Sequence, residues 1–133
     1  AGIDMVLDRP VFGMGPGMIL SAYPRYRWPE APNPNAPHLH NNLLQIAADR
    51  GLPGLALFLW WAFAAFLQAL RSLPAARGDP AKDPAAVAAS SVLAAIFVAG
   101  LFEYNLGDSE VLMLVLLLMA VPFALARARV LTA

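Results

Sequence analysis

The stretch Leu52–Leu70, LPGLALFLWWAFAAFLQAL, constrains this chain more than any other. Its one strongly polar side chain, Gln68, stands near its end. At about 1.5 Å per residue, a helix of this length covers the roughly 30 Å of hydrocarbon in a bilayer. Two further apolar runs follow, Ala85–Leu101 and Val111–Ala126. The first is rich in Ala, Ser and Gly, which let helix backbones approach closely in lipid. The second carries Pro122, a kink that membrane helices tolerate. Trp60 and Trp61 fall mid-span and read as packing residues. Of 133 residues, 59% are hydrophobic and 14% charged, against a usual charged share of about 25%. A small globule cannot bury that much apolar surface. The fold class read here is an all-α integral membrane protein: an outer loop segment, 1–51, with a short helix at about 39–50, then three transmembrane helices in 52–133, at about 52–71, 85–102 and 110–126.

Orientation follows from the basic residues near the spans. Arg71, Arg77 and Lys82 between the first two runs, and Arg127 and Arg129 after the third, belong on the cytoplasmic side. The connection 102–110, FEYNLGDSE, has three acids and no base and belongs outside. Residues 1–50 then lie outside as well, although they carry Arg9, Arg25, Arg27 and Arg50. The chain contains no cysteine, which removes disulfides, thiolate nucleophiles and cysteine zinc sites. Net charge is zero and no basic stripe with interleaved aromatics appears, so nucleic acid is not an expected partner. No signal peptide opens the sequence, and it reads as a piece of a longer membrane protein.

The outer segment is built of breakers and short amphipathic pieces. Ile3, Met5, Val6 and Leu7 alternate with acids until Pro10 ends any helix. GMGPG at 13–17 is a turn cluster; it lacks the Lys-Ser/Thr and the strand–helix context of a phosphate loop. YPRYRWPEAPNPNAP at 23–37 is expected to be neither helix nor central strand, because proline removes donors. Leu39, Leu43, Ile46 and Ala47 recur at helical spacing, with Asn41 or Asn42 as cap and Gly51-Leu52-Pro53 as a stop followed by a restart.

Both histidines, His38 and His40, stand just before the first span. A His-x-His pair binds a metal only with further ligands; Asp49 and Glu103 are conceivable, but no spacing favours them, and no metal is expected. An imidazole is also the side chain best suited to act as a base near neutral pH. Glu103 follows the apolar Ala99-Gly100-Leu101-Phe102 and is placed to pair with His40 or with an arginine. Asn41 either orients His40 or caps the helix. Arg50 suits the C-terminal dipole of the short helix, and Gly51 and Gly54 read as packing and turn positions.

Three patches carry a family resemblance. His40-Asn41, nine residues, then Gly51-Leu52-Pro53-Gly54 resembles the signature of the O-antigen ligase family: His, a small polar residue, nine residues, Gly, two residues, then Gly, Thr or Tyr. DRPVFGMGPG at 8–17 is similar to a segment common to the superfamily of ligases and O-antigen polymerases, and GLFEYNLGDSEVL at 100–112 resembles its outer turn before the next span. The resemblance implies a glycosyltransferase of the bacterial inner membrane with its site on the periplasmic side. It would move a glycan from a polyprenyl diphosphate carrier to an acceptor hydroxyl, on lipid A core in ligases or on another carrier-linked glycan in polymerases, with no metal or other cofactor. Such an enzyme inverts the anomeric centre. It assigns the base to His40 and leaves His38 outside the signature. Diphosphate stabilisation falls to arginines, here Arg25 and Arg27 by location, the family's best-known ones being expected upstream of Ala1. The alternatives are an exopolysaccharide polymerase or protein-glycan ligase of the same superfamily and, from another class, a transporter or a non-catalytic membrane subunit. The spans hold only Gln68, Ser90 and Ser91 as polar residues, which speaks against a transport path.

Overall fold

The computed structural model describes residues 1–76 and 83–132. Arg77 and Lys82, on which the cytoplasmic placement of the first connection leans, lie outside the described residues. Among the described residues every regular element is helical: α1 (Gly2–Asp8), α2 (Ile19–Tyr26), α3 (Asn42–Ala76), α4 (Asp83–Ala99), one 3-10 turn (Asn105–Gly107) and α5 (Ser109–Thr132). The chain forms two compact units, Ala1–Leu59 with Gly100–Tyr104, and Trp60–Ala99 with Asn105–Ala133. Leu52–Leu59 and the turn 100–104 thus group with residues 1–51.

In the first unit, Met5 of α1, Ile19 of α2 and Ala48 of α3 are buried together, with Val6, Met14, Tyr23 and Leu39 packed around them. Burying a side chain of the size of Met5 or Ile19 is worth about 1.5–3 kcal/mol relative to exposure. The Tyr26 hydroxyl donates to Asp8 Oδ2 at 2.6 Å and ties α2 to the end of α1. Contrary to expectation, the proline-rich stretch is helical as far as Tyr26, with Pro24 inside α2. Pro24 costs α2 the bond its missing N–H would give to the carbonyl of Leu20.

α3 is two helical pieces joined at Gly51, whose φ of 73° and ψ of 177° are not helical. Such a backbone is essentially restricted to glycine. The break leaves carbonyls without partners: Ala48 loses the N–H of Leu52, and Asp49 faces Pro53, which has none. The turn cluster supplies replacements. Met14 N–H donates to the Ala48 carbonyl at 2.7 Å, Gly15 N–H to the Asp49 carbonyl at 3.1 Å, and the freed Leu52 N–H donates to the Pro10 carbonyl at 2.7 Å. The approach is close enough that a Cβ on Gly51 would stand 2.1 Å from the Val11 oxygen, and one on Gly13 2.5 Å from the Asp49 carbonyl carbon. Two sequence patches thus close on each other through main chain alone.

In the second unit Ala62 and Ala65 of α3, Leu93 of α4, and Val115 and Met119 of α5 form the core. Ala62, Ala65 and Ala69 make a stripe of small residues along one helix face. The remaining faces are apolar and exposed, Trp60, Phe63 and Leu117 among them. Two helical stretches, Asn42–Arg71 and Ser109–Ala128, are long and apolar enough to cross a membrane, and only 17% of each apolar window is buried. A core helix of a soluble protein would be mostly buried; these two present their apolar surface outward, as membrane helices do. Among the described residues α4 carries a shorter apolar helical stretch, Val87–Ala99. α5 passes through Pro122 as one helix.

Candidate functional site

The site is assembled at the start of α3. Asn41 is its cap: the side-chain Oδ1 accepts the Leu44 N–H at 2.8 Å, and Nδ2 donates to the Leu101 carbonyl at 2.8 Å. The next donor, Asn42 N–H, goes to the Gly100 carbonyl at 2.7 Å. Asn41 therefore stops the helix at 42 rather than 39 and pins the turn 100–104 beside it. The two ends of the Asn41 amide are both engaged, Oδ1 in capping α3 and Nδ2 on the turn 100–104. The Leu39 N–H is taken by Gln45 Oε1 at 2.9 Å.

Between Leu39 and the cap, His40 adopts a left-handed backbone with φ of 49°, the one non-glycine residue with positive φ among those described. Histidine tolerates this region better than most residues, at a cost of about 1 kcal/mol. The imidazole then meets Glu103. His40 Nδ1 lies 2.9 Å from Oε2 and 3.1 Å from Oε1. An ionised carboxylate only accepts, so Nδ1 carries the proton and donates. The hydrogen bond from His40 is the main reason the Glu103 carboxyl is held below its ordinary value of 4.5; the Tyr104 N–H, 2.8 Å from Oε1, adds to it. With Nδ1 engaged by the carboxylate, Nε2 is the ring nitrogen left to other partners, on a side chain that is 62% exposed.

His38 sits edge-on to His40, ring centroids 4.3 Å apart, and 5.9 Å from the Tyr104 ring. Its Nδ1 is buried and 3.4 Å from Glu103 Oε1, without hydrogen-bond alignment. Together His38, His40 and Glu103 offer three ligand atoms within 4.8 Å of one another. Sequence spacing had not favoured Glu103 as a partner of the pair; the chain brings it back from sixty-three residues away.

Beneath these lies a polar pair that sequence reasoning did not single out. Gln45 Nε2 donates to Asp49 Oδ2 at 2.9 Å, both side chains buried, while Asp49 Oδ1 is buried without a partner. Their i, i+4 spacing within the apolar Ile46-Ala47-Ala48 was the available signal. Tyr104 has its hydroxyl pKa raised, by burial first and by the charge of Asp49 second. Arg25, in the last turn of α2, is exposed, and Arg27 follows that helix in extended conformation. Among the described residues neither guanidinium makes an ion pair, and neither joins the His–Glu cluster. An open apolar groove of about 420 Å³ runs between α1 and α3, lined by Ile3, Val6, Leu7, Leu44 and Leu55, with Asn41 at its polar edge.

The fold and site define a helical membrane protein with a histidine–carboxylate pair at the head of a candidate span. Within that class, residues 1–59 match the O-antigen ligase family model, as the motifs at 8–17 and 40–54 led one to expect. The match includes both glycine-bearing patches and His40; Glu103 lies beyond it. The chain has no match among curated proteins or among solved structures.

Proposed function

We propose that this chain is the C-terminal part of an inverting membrane glycosyltransferase that moves a glycan from a polyprenyl diphosphate carrier to an acceptor hydroxyl, in the manner of O-antigen ligation to lipid A core. The observation that carries the reading is the His40–Glu103 pair within and beside the matched segment. In this reading Nε2 of His40 takes the acceptor hydroxyl proton as the oxygen attacks the anomeric carbon. Glu103 orients the ring through Nδ1 and stabilises the imidazolium that forms. The unpaired guanidinium groups of Arg25 and Arg27 would meet the departing diphosphate, where bidentate, always-charged donors serve best. Asn41 acts by positioning, holding the turn that carries Glu103. The groove beside it has the apolar character a polyprenyl chain requires. The reading takes residues 1–51 and the connection 102–110 to lie on the periplasmic side of the inner membrane, with three spans between and after them. A carrier embedded in the bilayer then meets His40 at the head of the first span.

The test uses the full-length protein and His40→Asn, since asparagine tolerates the left-handed backbone. Glycan transfer is expected to fall roughly 10²–10⁴-fold with folded protein still in the membrane. Transfer near wild-type rate in that variant would remove the base from the mechanism. The product separates the alternatives: capping of lipid A core marks a ligase, lengthening of the carrier-linked glycan a polymerase.

A further inference from the structure

We infer that His38, His40 and Glu103 form a binding site for a divalent ion of the zinc type, and that its occupation switches His40 off. The transfer reading gives His38 no task, yet His38 turns a pair into a three-ligand set whose ligand atoms lie within 4.8 Å of one another. In a tetrahedral zinc site with bonds of about 2.0–2.2 Å, neighbouring ligand atoms stand about 3.4 Å apart. The Glu103 oxygens lie 3.4 Å from His38 Nδ1 and 2.9 Å from His40 Nδ1, so small side-chain adjustments suffice. A second observation points the same way. His38 Nδ1 is buried and faces Glu103 with no hydrogen bond of its own. Buried polar atoms without partners are rare in native structures, and a cation held between the two rings and the carboxylate would give this one a partner. Two imidazoles and a carboxylate, with a fourth position left to water, is a donor set that suits zinc.

The inhibitory consequence follows from the tautomer. The metal on Nδ1 of His40 displaces its proton, and a neutral ring must then carry its one N–H on Nε2. That nitrogen becomes a donor and no longer accepts a proton from a hydroxyl. A metal–nitrogen bond replaces the Nδ1–H bond and its hydrogen bond to Glu103, and the ring takes a proton at Nε2, so it stays neutral. Binding does not rest on the transfer reading; only its inhibitory consequence does.

The probe is cobalt(II) alone, added to the chelator-treated full-length protein in nanodiscs, with no glycan present. One cobalt per chain with the intense visible bands of a four-coordinate site is expected, displaced by zinc. His38→Ala should weaken cobalt binding at least tenfold, as should Glu103→Gln. The chelated His38→Ala protein should retain transfer within about twofold and lose its inhibition by zinc; His38→Gln serves if alanine disturbs insertion. Absence of cobalt binding, or binding unaltered by the His38 and Glu103 substitutions, would overturn the site. Binding with these losses but without inhibition of transfer would retain the site and overturn the switch. Because binding is read without substrate, failure of His40 as a base would show only in the transfer assay.

Discussion

The two units are held together in different currencies. The first closes through main-chain hydrogen bonds and capped helix ends: Met14, Gly15 and Leu52 at the α3 break, Asn41 and Asn42 at its start. The second closes through side-chain packing of Ala62, Ala65, Leu93, Val115 and Met119, with apolar faces left outward. Hydrogen bonds of the first kind demand particular backbone conformations and therefore glycine, proline and asparagine at fixed places. Packing of the second kind demands only volume and pattern. The ionisable site belongs to the unit whose backbone is specified atom by atom, which is what holding an imidazole in one orientation requires.

That contrast can be broken most severely at Gly51. A Cβ there collides with the Val11 carbonyl, in a conformation open only to glycine, so Gly51→Ala should cost upwards of about 3 kcal/mol. Gly17 has the same φ of 73° but nothing near its would-be Cβ. Gly17→Ala should therefore cost only about 1 kcal/mol. Thermal unfolding of the full-length protein in detergent measures both, and equal losses would mean that φ rather than the close approach sets the cost. In the packed unit, Leu93 is fully buried, and Leu93→Ala should lose about 2 kcal/mol or more through the cavity it leaves. Leu117→Ile on the exposed face should stay within about 0.5 kcal/mol by the same measurement.

The mildest test concerns Glu103. Its folded-state pKa is depressed, chiefly by the hydrogen bond from His40, so the pair's contribution is complete above the ordinary value of 4.5 and is lost as pH falls through the lower folded value. Carboxyl NMR of labelled glutamate should find the midpoint below 4.5 in the wild type and closer to 4.5 in His40→Asn. An unmoved midpoint would separate the carboxylate from the imidazole.

Much of the helical content was legible because hydropathy reports it directly: Leu52–Leu70 and Val111–Ala126 lie within the two long apolar helices observed. The break at Gly51-Leu52-Pro53 was legible too, since glycine followed by a residue lacking an N–H leaves a helix no way to continue its ladder. Helicity through Pro24 was not, because proline costs one bond of the helical ladder and the rest of α2 is kept by its packing, through Ile19, on Met5 and Ala48. Within the second apolar run, the structure carries the apolar helical stretch Val87–Ala99. For the site, His40 and Glu103 were each visible as residues, and the meeting of the two as one option among several. The choice between an arginine and His40 as the partner of Glu103 depends on where Asn41 pins residues 100–101, a contact with no periodic signature.

The clasp at Gly51 has a last consequence, for how its information is written. Amide and carbonyl groups are the same in every residue, so a joint made of them is indifferent to most of the letters it passes through. Pro10 and Met14 supply hydrogen-bonding backbone to it, and Val11 and Phe12 between them are exposed. Chains using this joint are free to drift at those letters, while Gly13 and Gly51 stay mute and fixed. A short, gapped word with few constant letters is the trace that such a joint leaves in a sequence.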